Sequence, residues 1–300
     1  MFPCIVGARN DNRPNGIIRI GSSGGIMSAR IKHVAFASNN APRLAKFYES
    51  LFGMKRSKAA PPASADPEPV DATVGISDGN IGMVVIRRAP GFIAALDHFG
   101  IEVDDIESVC ARIQNYPHVR AAKRPSYRSF AAYSGHDPAG NVFDLTQPNS
   151  ENRRGIFAEA GRAQERSISH IAIRTLDPKS LAHFYVDVFG FSEAEKALED
   201  PNFYLTDKKV TLVISPWNIT DYLGASVARP GLEHLGFKVE SIEAVKRDLE
   251  SLTKSNPELA PRTVTKTSEG EVIRNLAATC RYSKHLFPDP DGTYVDISES

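Results

Sequence analysis

The chain has 300 residues, 41% hydrophobic and 24% charged, with 36 basic residues balanced by 36 acidic ones. That is the composition of an ordinary water-soluble globular protein, long enough for two domains. Zero net charge supplies no global field for nucleic acid or a membrane surface, no apolar run is long enough to cross a bilayer, and three scattered cysteines (Cys4, Cys110, Cys280) fit a reducing cytoplasm rather than a disulfide framework.

Residues 1–29 read as a polar, flexible tail. GSSGG at 21–25 lacks the lysine of a phosphate loop, and Met27, just before SARIKHVAF, is a candidate start of translation. A strand pattern, IKHVAFAS, then leads into the helix pattern PRLAKFYESLFG, which stops at a glycine. Strand-like DATVGIS and IGMVVIRR follow, then strand HFGIEV, helix IESVCARIQNY and a hairpin closing on DPAGNVFD. Residues 148–167 are polar and aperiodic, as expected of a linker. The series then begins again: strand SISHIAIRT, helix PKSLAHFYVDVFG, strands PNFYLTD and KVTLVIS, strand HLGFKV, helix IEAVKRDLESLTK and the closing DPDGTYVD.

Counted from His33 and from His170, the pairs LA, FY and FG fall at identical offsets. Asp97-His98-Phe-Gly matches Glu233-His234-Leu-Gly, and Asp137-Pro-Ala-Gly…Asp144 matches Asp289-Pro-Asp-Gly…Asp296. Three matched blocks in one order make the chain a tandem duplication. The expected class is α+β, with a first domain at 30–147, a linker at 148–167 and a second domain at 168–300. Each half holds two strand–helix–strands modules of βαβββ type.

Alternation along the strands gives the candidate site. Val34 and Phe36 oppose His33, Phe99 and Ile101 oppose His98, and Phe143 and Leu145 flank Asp144. The second half repeats this for His170, His234 and Asp296. All six polar residues thus project away from the face that packs on helices, and would point into one cavity per half if the modules curve together. Two imidazoles and a carboxylate suit Fe(II), Mn(II), Zn(II) or Ni(II) and leave positions for substrate and water or dioxygen. The strands that could give a fourth ligand are apolar (Met83 to Ile86; Leu212 to Ile214).

These residues resemble the vicinal oxygen chelate superfamily of glyoxalases, bleomycin-resistance proteins and extradiol dioxygenases. The resemblance is carried by His33, FY at 47–48, FG at 52–53, His98 and the turn ending at Asp144, and again by His170, FY at 184–185, FG at 189–190, His234 and the turn ending at Asp296. It implies four modules forming two cupped sheets, each able to hold a divalent metal that chelates neighbouring oxygens of a substrate. Four modules in one chain resemble the two-domain extradiol dioxygenases, which implies Fe(II) first and a catechol-like aromatic substrate. The pattern also departs from that family. Aspartate stands where its third ligand is usually glutamate, and Ser134 and Leu286 stand where the extradiol enzymes carry tyrosine. Their acid–base histidine is missing from MVVIRR and TLVISP, with Tyr133, His136, Tyr282 and His285 as the nearby substitutes. A glyoxalase-like lyase or isomerase and a non-catalytic small-ligand-binding protein are the alternatives. Related folds often pair subunits, so a homo-oligomer is compatible with the sequence.

Overall fold

Asn40 ends a strand and starts a helix because its side-chain oxygen accepts the Arg43 N–H at 3.1 Å, satisfying a donor that the first helical turn leaves open. Helix α1 (Ala41–Phe52) buries Leu44, Phe47, Tyr48 and Leu51 and stops at Gly53, whose φ of 70° lies in the left-handed region. Asp177 and Gly190 bound helix α3 (Pro178–Phe189) in the same way. The computed structural model describes residues 28–57, 72–153, 164–221, 229–262 and 280–299. The glycine-rich run, Met27, nearly all of the tail and the middle of the linker lie outside them.

In the first half, strand β1 (Ala29–Ser38) precedes α1, and β2 (Lys55–Arg56), β3 (Val74–Ser77) and β4 (Gly82–Arg87) follow. The second module is β5 (Ala95–Val103), α2 (Ile106–Ile113), β6 (Ala121–Lys123), β7 (Tyr133–His136) and β8 (Val142–Thr146). They form one sheet in the order β2-β3-β4-β1-β5-β8-β7-β6, so the two modules join antiparallel through their first strands. The second half has β9 (Ser167–Thr175), α3, β10 (Ser192–Glu193), β11 (Phe203–Thr206) and β12 (Thr211–Pro216). Its second module contains β13 (Gly231–Val239), α4 (Ile242–Ser255), β14 (Leu286–Pro288) and β15 (Tyr294–Glu299). The sheet order is β10-β11-β12-β9-β13-β15-β14. This is the α+β architecture of two tandem domains that the repeat implies, each built on one sheet.

The repeated FY and DP pairs hold the halves to each other. Tyr48 donates to Asp289 at 3.1 Å, and Tyr185 donates to Asp137 at 2.8 Å. Each aspartate also caps its own turn, Asp137 accepting from Ala139 and Asn141, and Asp289 from Asp291, Gly292 and Thr293. Phe52 stacks on Phe237 with centroids 3.8 Å apart, and Phe143 meets Phe189 edge-on. Two strand ends are tied across as well: Asp207 accepts the Ile31 N–H and Asp78 the Ile168 N–H. The helix-packing faces of both sheets thereby merge into one hydrophobic cluster containing Val34, Phe36, Phe99, Phe143, Ile171 and Phe237. The histidine-bearing faces point away from it. Among the described residues no helix is long and apolar enough to cross a membrane.

Candidate metal centre

Strand register assembles the first site. His33 of β1 pairs with Gly100 of β5, and Gly100 pairs with Asp144 of β8. The three form one row across three strands, with His98 two residues along β5 on the same face. Gly100 puts no side chain at the centre of that row. His33 Nε2 lies 3.3 Å from His98 Nε2, and His98 Nε2 lies 3.2 Å from Asp144 Oδ2. Among the described residues these three are the one set of acids, histidines or cysteines with ligand atoms all within 4.8 Å of one another. Metal–ligand bonds of about 2.1 Å meeting near right angles would set neighbouring donors roughly 3 Å apart, so the spacing suits a divalent ion.

Hydrogen bonds around the trio orient it. Asp97 Oδ2 lies 2.6 Å from His98 Nδ1, which places the Nδ1 proton there and turns the Nε2 lone pair toward the site. The Ser134 hydroxyl, directly across from Asp144 on β7, donates to Asp144 Oδ1, and Arg124 Nε donates to Ser134 Oγ at 2.8 Å. Burial and then His98 hold His33 down at about 3, so it stays neutral. Burial opposes protonation of His98, but the hydrogen bonds and charges of Asp144 and Asp97 outweigh it and raise that imidazole to about 9. Burial also works against ionising Asp144, yet His98 and Ser134 keep its carboxyl below the usual range. The pocket attracts positive charge, and without a metal a proton on His98 supplies it.

The second set is arranged in the same row, His170–Gly236–Asp296, with His234 two residues along β13. Its detail differs. His170 Nε2 lies 3.3 Å from His234 Nε2 and 3.7 Å from Asp296 Oδ2. The Tyr282 carbonyl comes within 3.2 Å of His234 Nε2, and the Tyr282 ring packs on His170. Glu233 meets His234 Nδ1 at 3.1 Å and pairs with Arg174. Asp296 Oδ1 accepts the backbone N–H of His285, and burial pushes this carboxyl up to about 6.

One sheet position also differs between the halves. Tyr204 pairs with Val213 where, in the first half, Gly75 pairs with Val84. Tyr204, Cys280 and Tyr282 fill the second cup and bury Val213 completely, whereas Val84 is only half-buried.

The four substitute acid–base candidates sit apart from the first trio. Tyr133 packs against the hydrophobic core, on the opposite face of β7 from Ser134. His136 shares the Ser134 face, and its ring bonds the Asp137 carbonyl at 3.0 Å. Tyr282 belongs to the second cup. His285 is exposed and meets Asp296 only through its backbone. Sequence reasoning did not single out Asp97 and Glu233, although an acid precedes the second histidine in both repeats. Ser134 stood out only as a departure, and Phe130 and Asn152 carried no signal.

The model of the Glyoxalase/Bleomycin resistance protein/Dioxygenase superfamily matches residues 30–145 and 167–297. Among solved structures, the Mn(II)-bound glyoxalase from Novosphingobium aromaticivorans is similar at TM-score 0.58 and 14% identity, over 90% of this chain and 81% of that one. The 2,3-dioxygenase LapB from Pseudomonas sp. KL28 is similar at TM-score 0.57 and 16% identity, over 90% and 92% of the two chains. The 2,2',3-trihydroxybiphenyl 1,2-dioxygenase from Sphingomonas wittichii gives TM-score 0.57 and 13% identity, over 91% of each. No curated protein matches the chain in sequence. With both repeats matched over most of the chain, this protein belongs to the Glyoxalase/Bleomycin resistance protein/Dioxygenase superfamily.

Proposed function

We propose that the first half, residues 30–147, holds a divalent metal through His33, His98 and Asp144 and acts as an extradiol-type dioxygenase on a catechol-like aromatic. The observation that carries this reading is the convergence of two Nε2 atoms and one carboxylate oxygen, with hydrogen bonds orienting His98 and Asp144. Fe(II) is the expected ion; Mn(II), Zn(II) and Ni(II) fit the same donors. Bound there, the metal would supply Lewis acidity toward two neighbouring substrate oxygens and a redox centre for dioxygen.

The chain's own part is positional and electrostatic. His33 remains a neutral donor at any working pH, because burial disfavours its charged form. Asp97 fixes the tautomer of His98, and Ser134, itself held by Arg124, fixes the carboxylate of Asp144. Val84, half-buried and paired with the buried Ala35 on the same face as His33, gives the cup an apolar side suited to a ring. In the second domain, 168–300 beyond the linker 148–167, the corresponding residues His170, His234 and Asp296 pack against Tyr282, and we assign them a structural part.

A second reading is a small-ligand-binding protein. It is favoured by one observation: none of Tyr133, His136, Tyr282 and His285 has its side chain against the first trio. Anaerobic loading with Fe(II), followed by oxygen uptake with a panel of catechols, separates the two. Uptake that Asp144→Ala abolishes supports the dioxygenase. Tight catechol binding without uptake supports the binding protein instead.

A further inference from the structure

The two cups fill the notch over their central glycine with different rings. In the second half the face of His170 itself lies on Gly236, so that a methyl group there would run into three atoms of the imidazole. In the first half the notch over Gly100 holds the edge of Phe130, with the His33 Cβ next nearest. The Phe130 and His33 rings are 5.1 Å apart at 34°. With the notch taken, the His33 imidazole does not lie over Gly100 as the His170 imidazole lies over Gly236, although the paired Nε2 atoms are 3.3 Å apart in both halves.

Phe130 is held there against its local preference. Residues 124–129 are exposed, with Tyr127 at 84%, yet Phe130 is 1% exposed. Its φ of 65° is left-handed, a conformation that a bulky side chain keeps only when its surroundings impose it. The surroundings are identifiable. The Asn152 side-chain amide reaches the carbonyls of Pro125, Arg128 and Ala131 at 2.8–3.0 Å, and the Asn152 carbonyl accepts the Phe130 N–H at 2.6 Å.

We propose that Phe130 is a positioning residue for the first-half metal site: its ring wedges the Gly100 notch and prevents His33 from settling onto the strand as His170 does on Gly236. The inference rests on the first trio holding a metal, but not on the reaction carried out there. It adds a residue that touches no metal yet sets the placement of a ligand.

Co(II) titration of the full chain, followed by its visible spectrum, tests the wedge. Phe130→Ala should lower the affinity of the Asp144-dependent site by about 10–100-fold, whereas Phe130→Leu, which still fills the notch, should stay within about threefold of wild type. The diagnostic readout is the visible d–d spectrum of the Co(II) that still binds: Phe130→Ala should change it, because the His33 imidazole moves, whereas Phe130→Leu should keep the wild-type spectrum. General destabilisation would lower the melting temperature without altering the spectrum. Wild-type affinity and spectrum in a natively folded Phe130→Ala would overturn the proposal. If Phe130→Ala does not fold, loss of affinity in a folded Phe130→Leu would overturn it. Absence of any Co(II) site dependent on Asp144 would overturn the metal reading and the wedge together. Normal Co(II) binding without oxygen uptake in the Fe(II)-loaded protein would count against the dioxygenase alone.

Discussion

Asp97 accepts from His98 Nδ1 at 2.6 Å, so the residue preceding a metal-ligand candidate in sequence also aims that ligand in space. Glu233 stands in the same relation to His234. Carboxylate–imidazole pairs of this kind raise the basicity of the donor nitrogen and fix its tautomer. Asp97→Ala should therefore weaken metal binding about 10–100-fold, and isothermal titration calorimetry reads the change. Asp97→Asn can still accept that proton through its amide oxygen and should lose less. Equal losses in the two variants would show that the charge, not the hydrogen bond, is what matters.

Metal uptake should depend steeply on pH. In the metal-free protein His98 carries a proton up to about pH 9, because Asp144 and Asp97 outweigh the cost of burying the charge. A metal must displace that proton, so apparent affinity should rise about tenfold for each pH unit between 6 and 8 and flatten above 9. Competition titrations with a pH-insensitive chelator give the slope. A flat profile across that range would mean that His98 is already neutral.

Stoichiometry distinguishes the halves. Elemental analysis should find one metal per chain, lost in Asp144→Ala and retained in Asp296→Ala. Two equivalents would show that the second cup, with Tyr282 against His170 and His234, opens to admit an ion.

The bond between Tyr48 and Asp289 makes the packing of the halves sensitive to pH. Burial and then the neighbouring Asp291 raise the Asp289 carboxyl to about 7, above its unfolded value. The folded state thus binds more protons than the unfolded state from about pH 4 to 7, so this residue's contribution to stability falls as pH rises through that window. Asp289→Asn carries no titrating group, and its thermal melting temperature should vary less between pH 4 and 7 than that of wild type. Tyr48→Phe, which takes from the buried Asp289 Oδ2 its tyrosine donor, should cost about 1–3 kcal/mol at pH 8 by chemical denaturation.

Ser134 occupies the position at which related dioxygenases are expected to carry tyrosine, and here its hydroxyl bonds Asp144. Ser134→Ala should raise the Asp144 pKa and lower metal affinity about tenfold while leaving the fold intact. Full retention of affinity would assign the placement of Asp144 to the strand register alone.

Residue spacing alone specifies the duplication, the α+β modules and the face on which His33, His98, Asp144, His170, His234 and Asp296 lie. Strand alternation and helix capping are local, and they can be read from spacing: Asn40 and Gly53 bound one helix as Asp177 and Gly190 bound its repeat. Tertiary structure decided what spacing cannot encode. Two sets of the same three residue types lie in the same rows, yet in the first half Phe130 fills the notch and Gly75 leaves room, while in the second Tyr204 and Tyr282 fill the cup. Ligand geometry depends on which side chains from distant segments occupy the shared space, and those contacts form only when the sheet closes around them. The FY and DP pairs likewise announced a family but not their partners, because each reaches across to the other half.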